Sequence, residues 1–245
     1  MESQFDNFCN NLNFSKRKKS LIKDILIRLY NKSLTENKDV WEDLREESHA
    51  KTDDSPRVEG TEIIKKLRRF LAEKQNERCC YCQRYMFNIA YSRPIEHILP
   101  RDTFPKFSLV MKNLAVACYD CNLRKTNSIW WDNIDQNSNY PDESQLQNAF
   151  HYNYHLYNEH ISWLNYSTNN FSFSAYLALT PIGKKLYFDL LENISKTDIL
   201  FSRNDEIRES IENIKQLNES ISDNNKIKDF ISELQQNLIL SSLVE

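Results

Sequence analysis

Apolar residues recur with a helical period early in the chain, where Leu21, Ile22, Ile25, Leu26 and Leu29 share one face. That spacing predicts a helix over residues 20–31, with Ser20 as its N-cap. Residues 32–60 are polar, contain Pro56 and Gly60, and read as loop with one short helix around Trp41. A second amphipathic helix is expected after Thr61, with Ile63, Ile64, Leu67, Phe70 and Leu71 inside. Lys65, Lys66, Arg68 and Arg69 take its other face, as a solvated surface or as a contact to a nucleic-acid backbone. A polar connector over 129–148 begins with Trp130 and Trp131. Phe150, Tyr152, Tyr154 and Leu156 then alternate, which predicts a strand with Ile161 and Trp163 on its hairpin partner. Thr180-Pro181 reads as an N-cap followed by proline at the first helical position. From there the pattern is helical, with stripes at Ile207, Ile211, Ile214, Leu217 and at Ile227, Phe230, Ile231, Leu234, Leu238.

Composition narrows the chemistry. No apolar run among the 245 residues is long enough to span a bilayer. The first residues lack a basic and an apolar signal region, so a cytoplasmic protein without membrane contact is expected. The chain has two glycines, Gly60 and Gly183, too few for a glycine-rich nucleotide loop. The net charge is −3, but its distribution is uneven. Residues 78–128 hold 8 basic and 3 acidic side chains, and residues 189–245 hold 6 basic and 12 acidic. A basic centre suggests a polyanion site, and the acidic tail is either a separate surface or an ordinary solvated helix.

Five of six cysteines lie in two tight groups. Cys79-x2-Cys82 and Cys118-x2-Cys121 have the spacing of two knuckles closing one tetrahedral zinc site, and in a reducing compartment zinc is preferred over disulfides. The 35 residues between the knuckles become a loop clipped at its base. Cys80 and Cys9 are left over. His151 and His155 carry ligand spacing only on a helix; on the expected strand they stand about 13 Å apart, too far to share an ion.

Between the knuckles lie Glu96-His97, then Asn113 sixteen residues after His97, and Asn122 directly after the last cysteine. A zinc ribbon needs none of these, whereas phosphodiester hydrolysis needs most of them. A neutral imidazole suits the deprotonation of water near pH 7. A carboxylate and an amide suit a divalent cation that takes up charge in the transition state. Lys125 shares a helical face with Asn122 and is placed to touch a phosphate.

This set resembles the zinc-stapled HNH, or ββα-metal, endonucleases. The resemblance implies His97 as general base and Asn113 as the residue bracing the hairpin and the base. It implies Glu96 and Asn122 as ligands of a catalytic divalent metal, Mg2+ or Mn2+, beside structural Zn2+ on the four cysteines. Arg101, Arg124 and Lys125 become the expected nucleic-acid contacts. Glu-His in place of Asp-His, the run Ala178–Lys185 with Leu186, and Arg203 further resemble the HNH subunits of Septu and retron anti-phage defence systems. Such subunits imply an ABC/SMC-like ATPase partner, in some systems also a retron reverse transcriptase and its DNA, and DNA before RNA as substrate. The expected fold is α+β and mainly helical: an N-terminal helical region over 1–77, the nuclease core over 78–128, and a C-terminal region over 129–245 with an aromatic hairpin and then helices for partner docking. The rival reading is a zinc-stabilised module that binds nucleic acid or a partner without cutting.

Overall fold

The computed structural model describes residues 3–52, 55–86, 93–132, 134–136, 138–167 and 172–195. The stripes expected over 207–217 and 227–238, and Arg203, lie outside them. The chain divides into two compact units, Met1–His155 and Leu156–Glu245.

The first unit starts with α1 (Asp6–Asn11) and α2 (Lys16–Glu36). Helix α2 begins four residues ahead of the expected start: its cap is Ser15, whose hydroxyl accepts from the Lys18 N–H at 3.3 Å. The basic run 16–19 carries no apolar stripe, so hydrophobic periodicity did not reveal this first turn. Ile22, Ile25, Leu26 and Leu29 are buried as expected, each contributing about 1.5–3 kcal/mol of apolar transfer. Helix α3 (Trp41–Glu46) is the short helix expected near Trp41. A two-residue ladder, β1 (Ser48–His49) with β2 (Val58–Glu59), leads into α4 (Gly60–Lys74). Ile63, Ile64, Leu67, Phe70 and Leu71 of α4 are buried, and Lys65 and Arg69 are exposed.

Next comes a small antiparallel hairpin and a helix. Strand β3 (Ile95–His97) pairs with β4 (Leu114–Val116), aligning Glu96 with Ala115 and His97 with Leu114. Helix α5 (Tyr119–Lys125) follows, N-capped by the Cys118 sulfur, which accepts from the Cys121 N–H at 3.5 Å. Three-residue strands cannot hold themselves together. The buried side chain of Gln75 helps, exchanging bonds with the Val116 N–H (2.6 Å) and C=O (2.8 Å) like an added strand. The pair ties the C-terminal end of α4 to β4.

In the second unit, α6 (Tyr157–His160) leads into β5 (Ile161–Ser167), paired with β6 (Ser172–Ala178), and then α7 (Pro181–Leu186). Thr180 caps α7 as expected, its hydroxyl accepting from the Gly183 N–H at 3.1 Å. Ile161 and Trp163 do lie in a hairpin strand, but their partner is β6. The expected strand at Phe150–Leu156 is instead a turn, closed by the Tyr154 and His155 N–H groups on the His151 carbonyl. Its aromatic alternation misleads because its side chains serve separate polar contacts: Asn153 reaches the Lys112 and Leu114 carbonyls, and Tyr154 the Pro141 carbonyl. The described part is thus α+β, with three two-stranded ladders among helices and 3-10 turns. No helix among the described residues is long and apolar enough to cross a membrane.

Gly60 is required by a close approach of helices rather than by its dihedrals. A Cβ there would stand 1.7 Å from the Leu44 carbonyl oxygen on α3. Gly60→Ala is expected to lower the unfolding free energy by about 3 kcal/mol, because both clashing groups are backbone-fixed. A urea midpoint equal to that of the wild type would contradict this packing.

Candidate active site and metal centre

Two chain segments deliver the cysteines. The turn after α4 carries Cys79 and Cys82, and the β4–α5 junction carries Cys118 and Cys121. All four are buried, and their sulfur atoms lie within 4.8 Å of one another. The Cys82 and Cys118 sulfurs are 3.7 Å apart. Four sulfurs at about 2.3 Å from one zinc stand about 3.8 Å apart, so the cluster has the dimensions of a tetrahedral zinc site. The Cys118 N–H also points at the Cys79 sulfur at 3.3 Å, a donor that favours thiolate there. Cys80 is not one of the four, and burial, with its neighbour Cys79, raises its thiol well above the ordinary range.

His97 ends β3. Its Nε2 lies 3.0 Å from the Ser108 carbonyl oxygen, and the Trp41 ring meets it edge-on with centroids 4.8 Å apart. Burial pushes the His97 imidazole down to about 3, helped by the Arg101 charge, so it is neutral near pH 7. The carbonyl requires the Nε2 nitrogen to carry the proton, which leaves a lone pair on Nδ1.

Asn113 immediately precedes β4 and is fully buried. Its Oδ1 accepts from the Leu99 N–H at 2.7 Å, and its Nδ2 donates to the Leu99 carbonyl at 3.0 Å and the Phe107 carbonyl at 3.1 Å. One amide thus braces both sides of the 98–113 loop.

Glu96 is buried, and its Oε1 takes the Lys125 ammonium at 2.8 Å and the Tyr81 hydroxyl at 3.1 Å. Burial raises the affinity of the Glu96 carboxyl for a proton, and Lys125 and Tyr81 oppose that. Both contacts fall on Oε1, so Oε2 has no hydrogen bond among the described residues. Lys125, expected at a phosphate, points inward instead: its side chain is 1% exposed. It also donates to the His97 carbonyl at 3.3 Å and lies 5.7 Å from the Trp130 ring centre. The short helix α5 turns this side chain toward β3, where the Glu96 carboxylate draws it in. Asn122 is half-buried on α5, and Arg124 is exposed. Arg101 pairs with Asp39 at 2.7 Å, both partly exposed.

The fold therefore joins Glu96 to Lys125, and His97 through the 98–113 loop to Asn113. Tyr81, Gln75, Trp41, Tyr140 and His151 also support this region, although the sequence pattern did not single them out for it. Their partners are 11 to 56 positions away along the chain, beyond the reach of local spacing. His151 is buried against Tyr140, and the metal-capable group found among the described residues is the cysteine cluster alone.

No protein-family model matches the chain, and no solved structure matches it. A curated relative, the Septu protein PtuB of Bacillus thuringiensis, is 34% identical over 55 residues, which is 22% of this chain and 21% of the relative. The chain thus matches about a fifth of that relative's length. Fold and site define an α+β protein with a buried cluster of four cysteines able to hold a metal ion and a short stretch similar to PtuB.

Two outcomes follow from this geometry. Cys118→Ser removes one zinc ligand and the cap of α5; zinc content should fall below stoichiometric and the protein should lose its cooperative melt, because structural zinc binding is folding free energy. A stoichiometric zinc content with a wild-type melt would remove the zinc assignment. The second outcome concerns His151, which burial pushes down to about 3. Below pH 6.5 the unfolded chain binds a proton there that the folded chain refuses. Stability is therefore complete above pH 6.5 and falls by about 1.4 kcal/mol per pH unit as pH drops toward the folded value. Between pH 7 and 5, urea unfolding of His151→Gln should show a smaller loss than the wild type; equal losses would contradict the neutral, buried imidazole.

Proposed function

We propose that the chain is a hydrolytic nuclease of the HNH, or ββα-metal, type, with the β3–β4 hairpin and α5 as its core. The observation that carries this reading is the His97 ring: neutral, anchored through Nε2 on the Ser108 carbonyl, with Nδ1 unprotonated and its loop braced by Asn113. A zinc ribbon has no use for a base held in this way.

In this reading Nδ1 of His97 takes a proton from water as the water oxygen attacks phosphorus. The bond from phosphorus to the opposite, leaving oxygen breaks, and that oxygen leaves with a proton from solvent. Glu96, through Oε2, and Asn122 would hold a divalent cation, Mg2+ or Mn2+, which supplies positive charge to the phosphoryl and leaving oxygens when bound. Oxygen donors suit such ions, but the Lys125 ammonium cancels the carboxylate charge. The ion would then be held weakly, and half-maximal cutting is expected at millimolar Mg2+. Arg124 and Arg101 would face the nucleic-acid backbone, whereas Lys125 serves as the internal counter-ion of Glu96. DNA is the proposed substrate, in keeping with the basic balance of residues 78–128.

Similarity to the Septu protein PtuB supports a role in anti-phage defence. We extend this to assembly with an ABC/SMC-like ATPase, and in a retron setting with a reverse transcriptase and its DNA. One observation favours the rival, non-cutting binder: the ammonium already sits on the proposed metal-binding carboxylate.

Plasmid nicking separates the two readings. Supercoiled DNA is incubated with wild type and His97→Ala in EDTA, Mg2+ and Mn2+, with and without the ATPase partner. The wild type should nick only with metal. His97→Ala should be at least about 100-fold slower, the size expected for a lost general base, with zinc content unchanged. Equal cutting by both proteins would remove His97 as base. Unaltered DNA under every condition would leave the binder.

A further inference from the structure

We infer that Tyr140 and His151, both outside the hairpin and helix, are positioning residues that set the general base through Asn113. This rests on the hydrolytic reading above.

The Tyr140 hydroxyl oxygen lies 2.7 Å from His151 Nε2, 3.2 Å from Asn113 Oδ1 and 3.5 Å from the Lys112 carbonyl oxygen. It has one proton to give. The Asn113 amide is oriented by its other partners, since Nδ2 faces two carbonyls and Oδ1 faces the Leu99 N–H. Oδ1 and the Lys112 carbonyl can only accept, and Oδ1 is the nearer, so Tyr140 donates to it. The Tyr140 oxygen then accepts, and His151 must carry its proton on Nε2. A separate observation agrees: His151 Nδ1 is buried with no hydrogen-bond partner. An unpaired acceptor in that place costs less than an unpaired N–H. Burial also keeps this imidazole neutral.

With Tyr140 in place, every bond the Asn113 amide can form is made: two donors on Oδ1 and two acceptors on Nδ2. The Phe107 carbonyl held by Nδ2 precedes Ser108, whose own carbonyl fixes His97 Nε2. The Tyr140 ring also meets Phe107 edge-on at 5.1 Å. A continuous set of bonds therefore runs from His151 through Tyr140, Asn113 and the 107–108 backbone to the His97 ring. Asn153 secures the same segment from the side by donating to the Lys112 and Leu114 carbonyls.

The test compares wild type, Tyr140→Phe, His151→Gln and His151→Leu, each normalised to bound zinc. Oligonucleotide cleavage with Mg2+, together with the ATPase partner if one is needed, should show kcat about tenfold lower in Tyr140→Phe. KM should stay within twofold. His151→Gln retains a side-chain N–H and should keep more of kcat than His151→Leu. A purely structural role would lower the amount of folded protein and leave kcat per zinc unchanged; that result, or wild-type kcat in Tyr140→Phe, overturns the inference. Amide hydrogen exchange at Leu99 gives a readout independent of cleavage. Tyr140→Phe should exchange this amide at least fivefold faster, because Oδ1 has lost its second donor. If the wild type cuts nothing while Leu99 exchange rises, the nuclease reading has failed and no base is being positioned, so the inference falls with it. If the wild type cuts and Leu99 exchange is unchanged, the inference alone has failed.

Discussion

Four thiols drawn into one buried cluster are the constraint on which the core depends. The strands they flank are three residues long and α5 is seven, none of which is stable alone. Closing the two knuckles fixes both ends of the intervening loop, and the Cys118 sulfur also caps α5. Strand β4 enters the cluster directly, and the Cys80 N–H bonds the Val116 carbonyl at 3.1 Å. The Gln75 side chain then joins this assembly to the helical layer. With the clasp open, little remains to align β3 with β4 or to hold α5 beside them.

Inside this frame the polar groups are costly to bury, and Glu96, Lys125, His97 and Asn113 all have partners. Glu96 and Lys125 meet far from water, and the removal of either would leave an uncompensated buried charge. Their pairing also has a geometric consequence, because Lys125 reaches the His97 carbonyl from α5 and so links the helix to the strand that ends in His97. His97 gains no charge partner. It has a carbonyl on one ring nitrogen and the Trp41 ring set nearly perpendicular beside it, an environment for a neutral imidazole and not for an ion pair. Two adjacent residues of one strand thus take opposite roles, a neutralised carboxylate and a neutral imidazole.

The sequence made legible what is written in short spacings. The paired cysteines, the apolar faces of α2 and α4 and the Thr180 cap all follow from residues a few positions apart. The partner of Lys125 did not follow. Its position on α5 suggested an outward phosphate contact, whereas the fold sets it against Glu96, 29 positions away. The alternation at Phe150–Leu156 failed for a related reason. Those aromatics are separated by tertiary hydrogen bonds rather than by a pleat, and Leu156 is 68% exposed. Tyr140 lay in the polar connector and His151 in the expected aromatic strand, and nothing local in a tyrosine and a histidine eleven residues apart announces that Tyr140 bridges His151 and Asn113. The Ser15 cap lay ahead of a basic run with no apolar stripe to mark it.

The proposed chemistry turns on a histidine, His97, held neutral with one chosen nitrogen bare. Long-range 15N–1H correlation of the imidazole ring in the zinc-loaded protein at pH 7.5 reads this directly. His97 is expected in the Nε2–H form, with Nδ1 unprotonated. An Nδ1–H form or an imidazolium would contradict it.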